Sequence, residues 1–252
     1  MIQSAKYKML YPPLVTRIYN EENKNEKNTK TRLHQMFGAY VQGNAHKKAA
    51  LLLDELAAGA DMLDGSKKIL SLHASTAERL PQMRLFCDFI THHTGAIGSI
   101  IDLGCGFSPF ALPYWRQNIH VYHAYDIDTR TTGLLNRFFT INNLPPTASC
   151  ADIITETPAH KTDLALLCKL IPVLEAQVPG RGFELARNMD TRFLAITYPL
   201  KSLGGRNKGM GKNYAAQFSQ AYEAGQLGCF TLVQTAEIGS ELVFLLHNSE
   251  ST

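Results

Sequence analysis

A chain of 252 residues is long enough for one large α/β domain, or for a domain with a small accessory, and either can bury a sizeable core. Hydrophobic residues at 45% and charged residues at 19% exclude a disordered chain. The absence of an apolar run of about 18 residues, and of a signal-peptide core in MIQSAKYKMLYPPL, points to a cytoplasmic protein rather than a membrane or secreted one. The net charge is only +3, but residues 1–48 carry nine Lys or Arg against three Glu, an excess of six positive charges that suits a polyanionic partner. Five scattered cysteines, with no CxxC pair and no histidine at ligand spacing, argue against a disulfide framework and against a bound metal.

In chain order, residues 1–92 read as a helical region in two pieces, with apolar periodicity at Leu51, Leu52, Leu53 and Leu56 and again at Ile69, Leu70 and Leu72. Residues 20–31 read as a polar connector within it. Residues 93–252 form a second region in which short apolar runs alternate with helical stretches, the pattern of βαβ units on a parallel sheet. The expected strands are SIIDLG, HVYHAYDI, TASCAD, DLALLC and RFLAITYP. The last two runs, CFTLVQTAEI and SELVFLLH, meet at Gly239 with no room for a crossover helix, so they should pair antiparallel.

Ile100-Ile101-Asp102-Leu103-Gly104-Cys105-Gly106 places an acid and a G-x-G turn at the end of the first strand. Glycines there allow a tight turn and a close backbone approach to a ligand, at the sheet edge where open α/β folds bind small molecules. Asp102 can accept from an ammonium or hold the turn. The second strand ends in Asp126-Ile127-Asp128, at the spacing from which a carboxylate reaches ribose hydroxyls. A dinucleotide is disfavoured, because Pro109 lies where the third glycine of its fingerprint would be needed. D-x-G-x-G followed by an acid resembles the cofactor motif of class I methyltransferases. The expected architecture is therefore a Rossmann-like class I methyltransferase fold, with a seven-stranded, mostly parallel sheet, an antiparallel final hairpin and an N-terminal helical subdomain.

Two outer segments narrow this. His73-Ala74-Ser75-Thr76-Ala77-Glu78-Arg79 precedes the first strand, and Pro199-Leu200-Lys201-Ser202-Leu203-Gly204-Gly205-Arg206-Asn207-Lys208-Gly209-Met210 follows the fifth. With YDID, K-L-I-P-V-L-E and the Thr31-Arg32-Leu33-His34 stretch, they make residues 30–247 resemble the Arm and Rmt type methyltransferases, the aminoglycoside-resistance 16S rRNA (guanine(1405)-N(7))-methyltransferase family. The resemblance implies S-adenosylmethionine as cofactor, the 30S subunit and its decoding-site helix as partner, and N7 of that guanine as target. The absence of the [DN]PP[YF] loop of exocyclic-amine methylases agrees, since Cys168-Lys169-Leu170-Ile171-Pro172 stands there instead. Asn143-Leu144-Pro145-Pro146 lies before the third strand and has Thr147 in place of an aromatic.

For the cofactor, the resemblance and the motif together single out Tyr40, His73, Ala74, Ser75, Arg79, Asp102, Gly104, Gly106, Asp126, Asp152, Ile153, Leu167, Cys168 and Gln177. Arg79 is placed as a clamp on the cofactor carboxylate, or else as a surface partner of Glu78. Ser75 with Glu78 also fits a helix capping box. Lys169, Lys201 and Ser202 are the candidate catalytic residues. Lys169 stands out as an ammonium at the end of an apolar strand, where it needs an anion or polar ligand. Cys168 lacks the preceding proline of covalent cytosine methylases. For RNA, Lys30, Arg32 and His34 form an expected docking patch, and Tyr198, Lys201, Arg206, Lys208, Lys212 and Tyr214 an acid-free stretch suited to phosphates and base stacking. Gly211 replaces the acidic residue that many relatives carry there. A methyltransferase for another RNA or a small molecule, and a noncatalytic RNA-binding protein, remain the alternatives.

Overall fold

The computed structural model describes residues 7–38, 40, 43–201 and 210–250. Two short helices, α1 (Pro12–Glu21) and α2 (Glu26–Leu33), lead into a π-helical turn at His34–Gly38. Then follow α3 (Ala45–Ala57), α4 (Met62–Leu70), α5 (Ala74–Arg79) and α6 (Met83–Thr94). The alternating region contains β1 (Ser99–Leu103), β2 (Val121–Asp126), α7 (Thr129–Ile141), β3 (Ala148–Cys150), β4 (Thr162–Cys168), α8 (Ile171–Glu175), α9 (Arg181–Arg187) and β5 (Thr191–Pro199). It ends in α10 (Met210–Glu223), β6 (Phe230–Ile238) and β7 (Glu241–Asn248).

The strands form one seven-stranded sheet in the order β3-β2-β1-β4-β5-β7-β6. β3, β2, β1, β4 and β5 run parallel, and β7 pairs antiparallel with both β5 and β6. The expected fold is therefore present, with the chain reversing direction across the sheet between β1 and β4. Strand side chains alternate between faces, and two cores follow from that. Ile100, Tyr122, Leu164, Leu166, Val243 and Leu245 pack under α3, α4, α6 and α7, whereas Ile101, Leu103, Ala165, Leu167 and Leu246 pack under α8, α9 and α10.

Two sequence expectations change. Residues 20–31 are not a connector, because α1 runs to Glu21 and α2 begins at Glu26. The Asn25 side chain accepts from the Asn28 N–H at 3.1 Å, Lys30 pairs with Glu26 at 3.0 Å, and only Thr29 and Leu33 are buried. A helix with so narrow an apolar face looks like a loop in sequence. The division expected at residue 92 falls inside one packed unit, since α3, α4 and α6 share the first core with the sheet. The separately packed piece is shorter: Tyr7, Leu10, Leu14, Ile18, Leu33 and Phe37 make a core of their own. An antiparallel bridge between Leu10 and Asp128 clips this piece to the end of β2. No helix among the described residues is long and apolar enough to cross a membrane.

Candidate active site

The cavity lies at the carboxyl ends of β1, β2 and β4, beside the point where the strand order reverses, as open α/β sheets dictate. Its volume is about 130 Å³. Gly104 and Gly106 form its floor with φ of +62° and +50°. Any Cβ at Gly104 would stand 2.8 Å from Leu170 Cδ1, and one at Gly106 would stand 2.8 Å from His73 Nε2. The backbone conformation therefore requires glycine at both positions, and at Gly106 the His73 ring also leaves no room. Asp126 fixes the turn: its Oδ2 accepts from the Gly106 N–H and its Oδ1 from the Asp128 N–H, at 2.8 and 2.9 Å.

The structure brings most of the expected cofactor residues to this cavity. Tyr40, His73, Ser75, Gly104, Gly106, Asp126, Asp152, Ile153, Cys168 and Gln177 line it, and Lys169 lines it too. The His73 ring lies between those of Tyr40 and Phe107, and burial lowers its pKa to about 3, so it is neutral. Its Nδ1 is buried without a hydrogen-bond partner among the described residues. Burial likewise pushes the Cys168 thiol up to about 12, which suits a wall residue and not a thiolate nucleophile.

Four expected residues stand outside the lining. Leu167 is fully buried in the opposite core, because it and Cys168 are strand neighbours and point to opposite faces. Ala74 contributes only its N–H, which donates to the Tyr40 carbonyl at 2.9 Å. Asp102 lies beneath the floor, with Oδ2 accepting from the Tyr122 hydroxyl at 2.9 Å and Oδ1 without a donor among the described residues. Arg79 is buried and forks onto Glu241 through Nε and Nη2, both at 2.9 Å, while Nη1 reaches Ser108 Oγ at 3.3 Å. Neither surface pairing with Glu78 nor the capping box forms: His73 holds the cap position of α5, Ser75 faces the cavity, and Glu78 accepts from Lys169 Nζ at 2.7 Å.

Lys169 follows β4 in a left-handed conformation, φ 55°, which costs a non-glycine residue energy and concentrates at functional sites. Its N–H donates to Thr197, and Nζ lies 3.4 Å from Glu241, so Glu241 faces two cations. Burial works to raise the pKa of Glu241, but Arg79 and Lys169 prevail and hold it below the usual carboxylate range.

Sequence reasoning missed Glu241, Tyr122 and Arg17. Arg17 of α1 donates to Asp152 from Nε at 2.6 Å and from Nη2 at 3.0 Å, and also reaches Gln177. Leu14, Met36 and Phe37 of the N-terminal piece complete the cavity wall. Of the expected RNA residues, Lys201 and Lys212 are exposed. Tyr198 is a core residue, stacked under Tyr214 with ring centroids 5.0 Å apart, and is not presented to a base. Arg32 is engaged by Glu21 at 2.8 Å and Glu22 at 3.2 Å. Lys30 and His34 border a shallow hollow on α2 together with Lys27. Ser202, Arg206 and Lys208 lie outside the described residues. No group of three potential metal ligands occurs among the described residues.

Sheet order, glycine turn and the carboxylates of Asp126 and Asp152 define a class I S-adenosylmethionine-dependent methyltransferase. The donor set fits that cofactor: acids and a neutral imidazole can receive an ammonium, ribose hydroxyls and a sulfonium. The chain belongs to the ribosomal RNA methyltransferase (FmrO) family, whose profile matches residues 3–245. It is 36% identical to the 16S rRNA (guanine(1405)-N(7))-methyltransferase of Serratia marcescens, over 98% of this chain and 95% of that one. The enzyme of the same name from Micromonospora echinospora is 34% identical, over 87% of this chain and 81% of its own. Among solved structures, the 16S rRNA methyltransferase RmtF in complex with S-adenosyl-L-homocysteine superimposes with a TM-score of 0.86 at 33% identity, covering 98% and 95% of the two chains. The 16S rRNA methylase RmtB gives 0.79 at 32%, covering 98% and 94%.

Proposed function

We propose that this enzyme methylates N7 of guanine 1405 in the 16S rRNA of the assembled 30S subunit, in the cytoplasm, and so confers aminoglycoside resistance. The observation that carries the reading is the near full-length likeness to enzymes of that name. S-adenosylmethionine, when bound, supplies an electrophilic methyl group on a sulfonium sulfur. Guanine N7 presents a lone pair in the major groove, so the protein need not remove a proton and acts by positioning. Gly104 and Gly106 admit the cofactor to the floor, and Asp126 and Asp152 receive its hydroxyl and amine donors. His73, being neutral, adds no cation beside the sulfonium. Lys169, held by Glu78 and Glu241 at the cavity wall, orients the guanine or a neighbouring phosphate. Lys201 and Ser202 assist in placing the base, with Arg206, Lys208 and Lys212 as phosphate contacts and Tyr214 as the stacking group. Residues 7–38 form the rRNA-docking piece, offering Lys27, Lys30 and His34.

The test is transfer of labelled methyl to purified 30S subunits, followed by primer-extension mapping of the modified base. Label at guanine 1405 is expected; label elsewhere, or none on intact subunits, overturns the assignment. Expression in a sensitive bacterium should raise the inhibitory concentrations of gentamicin and kanamycin, because a methyl group and a positive charge at N7 obstruct 4,6-disubstituted deoxystreptamines. Unchanged inhibition despite soluble expression would count against it.

A further inference from the structure

A buried carboxylate with one satisfied oxygen and one bare one is an unusual thing for a fold to keep. Asp102 is fully buried, and its neighbours on every packed element can be named. Tyr122 and Asp126 face it from β2, Arg79 from α5, Cys168 from the end of β4, and Cys105 from the turn that follows it. Arg79 does not form an ion pair with Asp102, because its fork is taken by Glu241. Among the described residues one hydrogen bond reaches the carboxylate, from the Tyr122 hydroxyl to Oδ2. Tyr122 is itself buried, and the parallel register sets Ile100 against Tyr122 and Asp102 against Ala124, so hydroxyl and carboxylate share one face of the sheet.

We infer that Tyr122 is a positioning residue for the cofactor: by anchoring Oδ2 of Asp102, it turns Oδ1 toward the floor of the cavity to receive the ammonium of the cofactor's amino-acid end. This rests on the reading of the cavity as the S-adenosylmethionine site. The anchoring does two things. It fixes the carboxylate rotamer, and it stabilises the charged form, which burial opposes by raising the Asp102 pKa to about 7. An ammonium pairs with the ionised acid, so affinity falls as pH drops through the carboxyl's own pKa. Removing the hydroxyl moves that fall to higher pH.

Calorimetric titration of the whole protein with S-adenosylhomocysteine, from pH 6 to 8.5, tests this, with 5′-methylthioadenosine, which lacks the amino-acid end, as control. Tyr122→Phe should weaken S-adenosylhomocysteine by roughly three- to ten-fold at pH 7 and move the midpoint of its pH profile upward by about half a unit or more. Methylthioadenosine binding should be unchanged. Asp102→Asn should weaken S-adenosylhomocysteine by roughly ten- to a hundred-fold and flatten the profile around pH 7, and adding Tyr122→Phe to it should cost nothing more. A uniform loss for both ligands, or an unmoved midpoint in Tyr122→Phe while Asp102→Asn weakens binding, overturns the role of Tyr122. Unchanged affinity in Asp102→Asn overturns the underlying placement of Asp102 instead. Should Tyr122→Phe lose its fold, Tyr122→Met, which has no donor and adds no bulk to the buried site, provides the same comparison.

Discussion

A buried acid works against the ligand-free protein before it does anything for the ligand. The folded chain holds the Asp102 proton up to about pH 7, whereas an unfolded Asp releases it near about 3.9. Between those values the folded state binds more protons than the unfolded one, so this group's contribution to stability declines as pH rises and is at its worst above 7, by roughly 2–4 kcal/mol. Asp102→Asn should therefore raise the melting midpoint of the ligand-free protein at pH 8 by several degrees, and the two proteins should converge near pH 4. His73 acts in the opposite sense: its folded pKa of about 3 means stability is lost as pH falls from about 6.5. That loss is common to both proteins and cancels. Scanning fluorimetry at the two pH values decides it, and a variant less stable at pH 8 contradicts the account. The same residues mark what sequence can carry at this scale. Asp126 and Gly106 are 20 positions apart, the span from the turn after β1 to the end of β2, so local spacing disclosed them. Glu241 meets Arg79 across 162 positions and Arg17 meets Asp152 across 135; nothing local marks either partner.

At the scale of elements, legibility followed apolar periodicity. β1, β2, β4, β5 and the final hairpin are apolar runs between turn signals, and each is present. α2 buries only Thr29 and Leu33, too little to register against its charged residues, and its role emerges from packing on α1 through Leu14, Ile18 and Leu33. That small core makes residues 7–38 a unit tied to the sheet region by the Leu10–Asp128 bridge and by the largely buried ion pair of Arg17 with Asp152. Arg17→Ala leaves Asp152 without its partner, at a cost of about 1–3 kcal/mol, or roughly 2–12 °C in the melting midpoint for a protein of this size. Hydrogen exchange should quicken through residues 12–33 while β1, β4 and β5 keep their protection. Equal loosening of the sheet would mean that the piece is not separately packed.

For the whole molecule, net charge conceals how cations are deployed. Arg17, Lys30 and Arg32 each have a carboxylate partner, whereas Lys8, Lys24, Lys27, Lys47 and Lys48 have no ion pair among the described residues. Sequence counts all eight alike, and three-dimensional pairing separates them. Cations already neutralised by Glu21, Glu22 or Asp152 release fewer counterions when they meet a phosphate than bare ones do. The dependence of 30S affinity on salt should distinguish the two sets. Lys27→Ala should reduce the slope of log affinity against log salt by about one, with the melting midpoint unchanged because an exposed, unpaired side chain is removed. Arg32→Ala should leave the slope nearly intact but lower the midpoint, since it strips Glu22 of its cation and leaves Glu21 with Arg17 alone. Equal slopes for the wild type and Lys27→Ala would remove α2 from the rRNA contact, and a full unit lost with Arg32→Ala would mean that its glutamate partners yield to phosphate on docking.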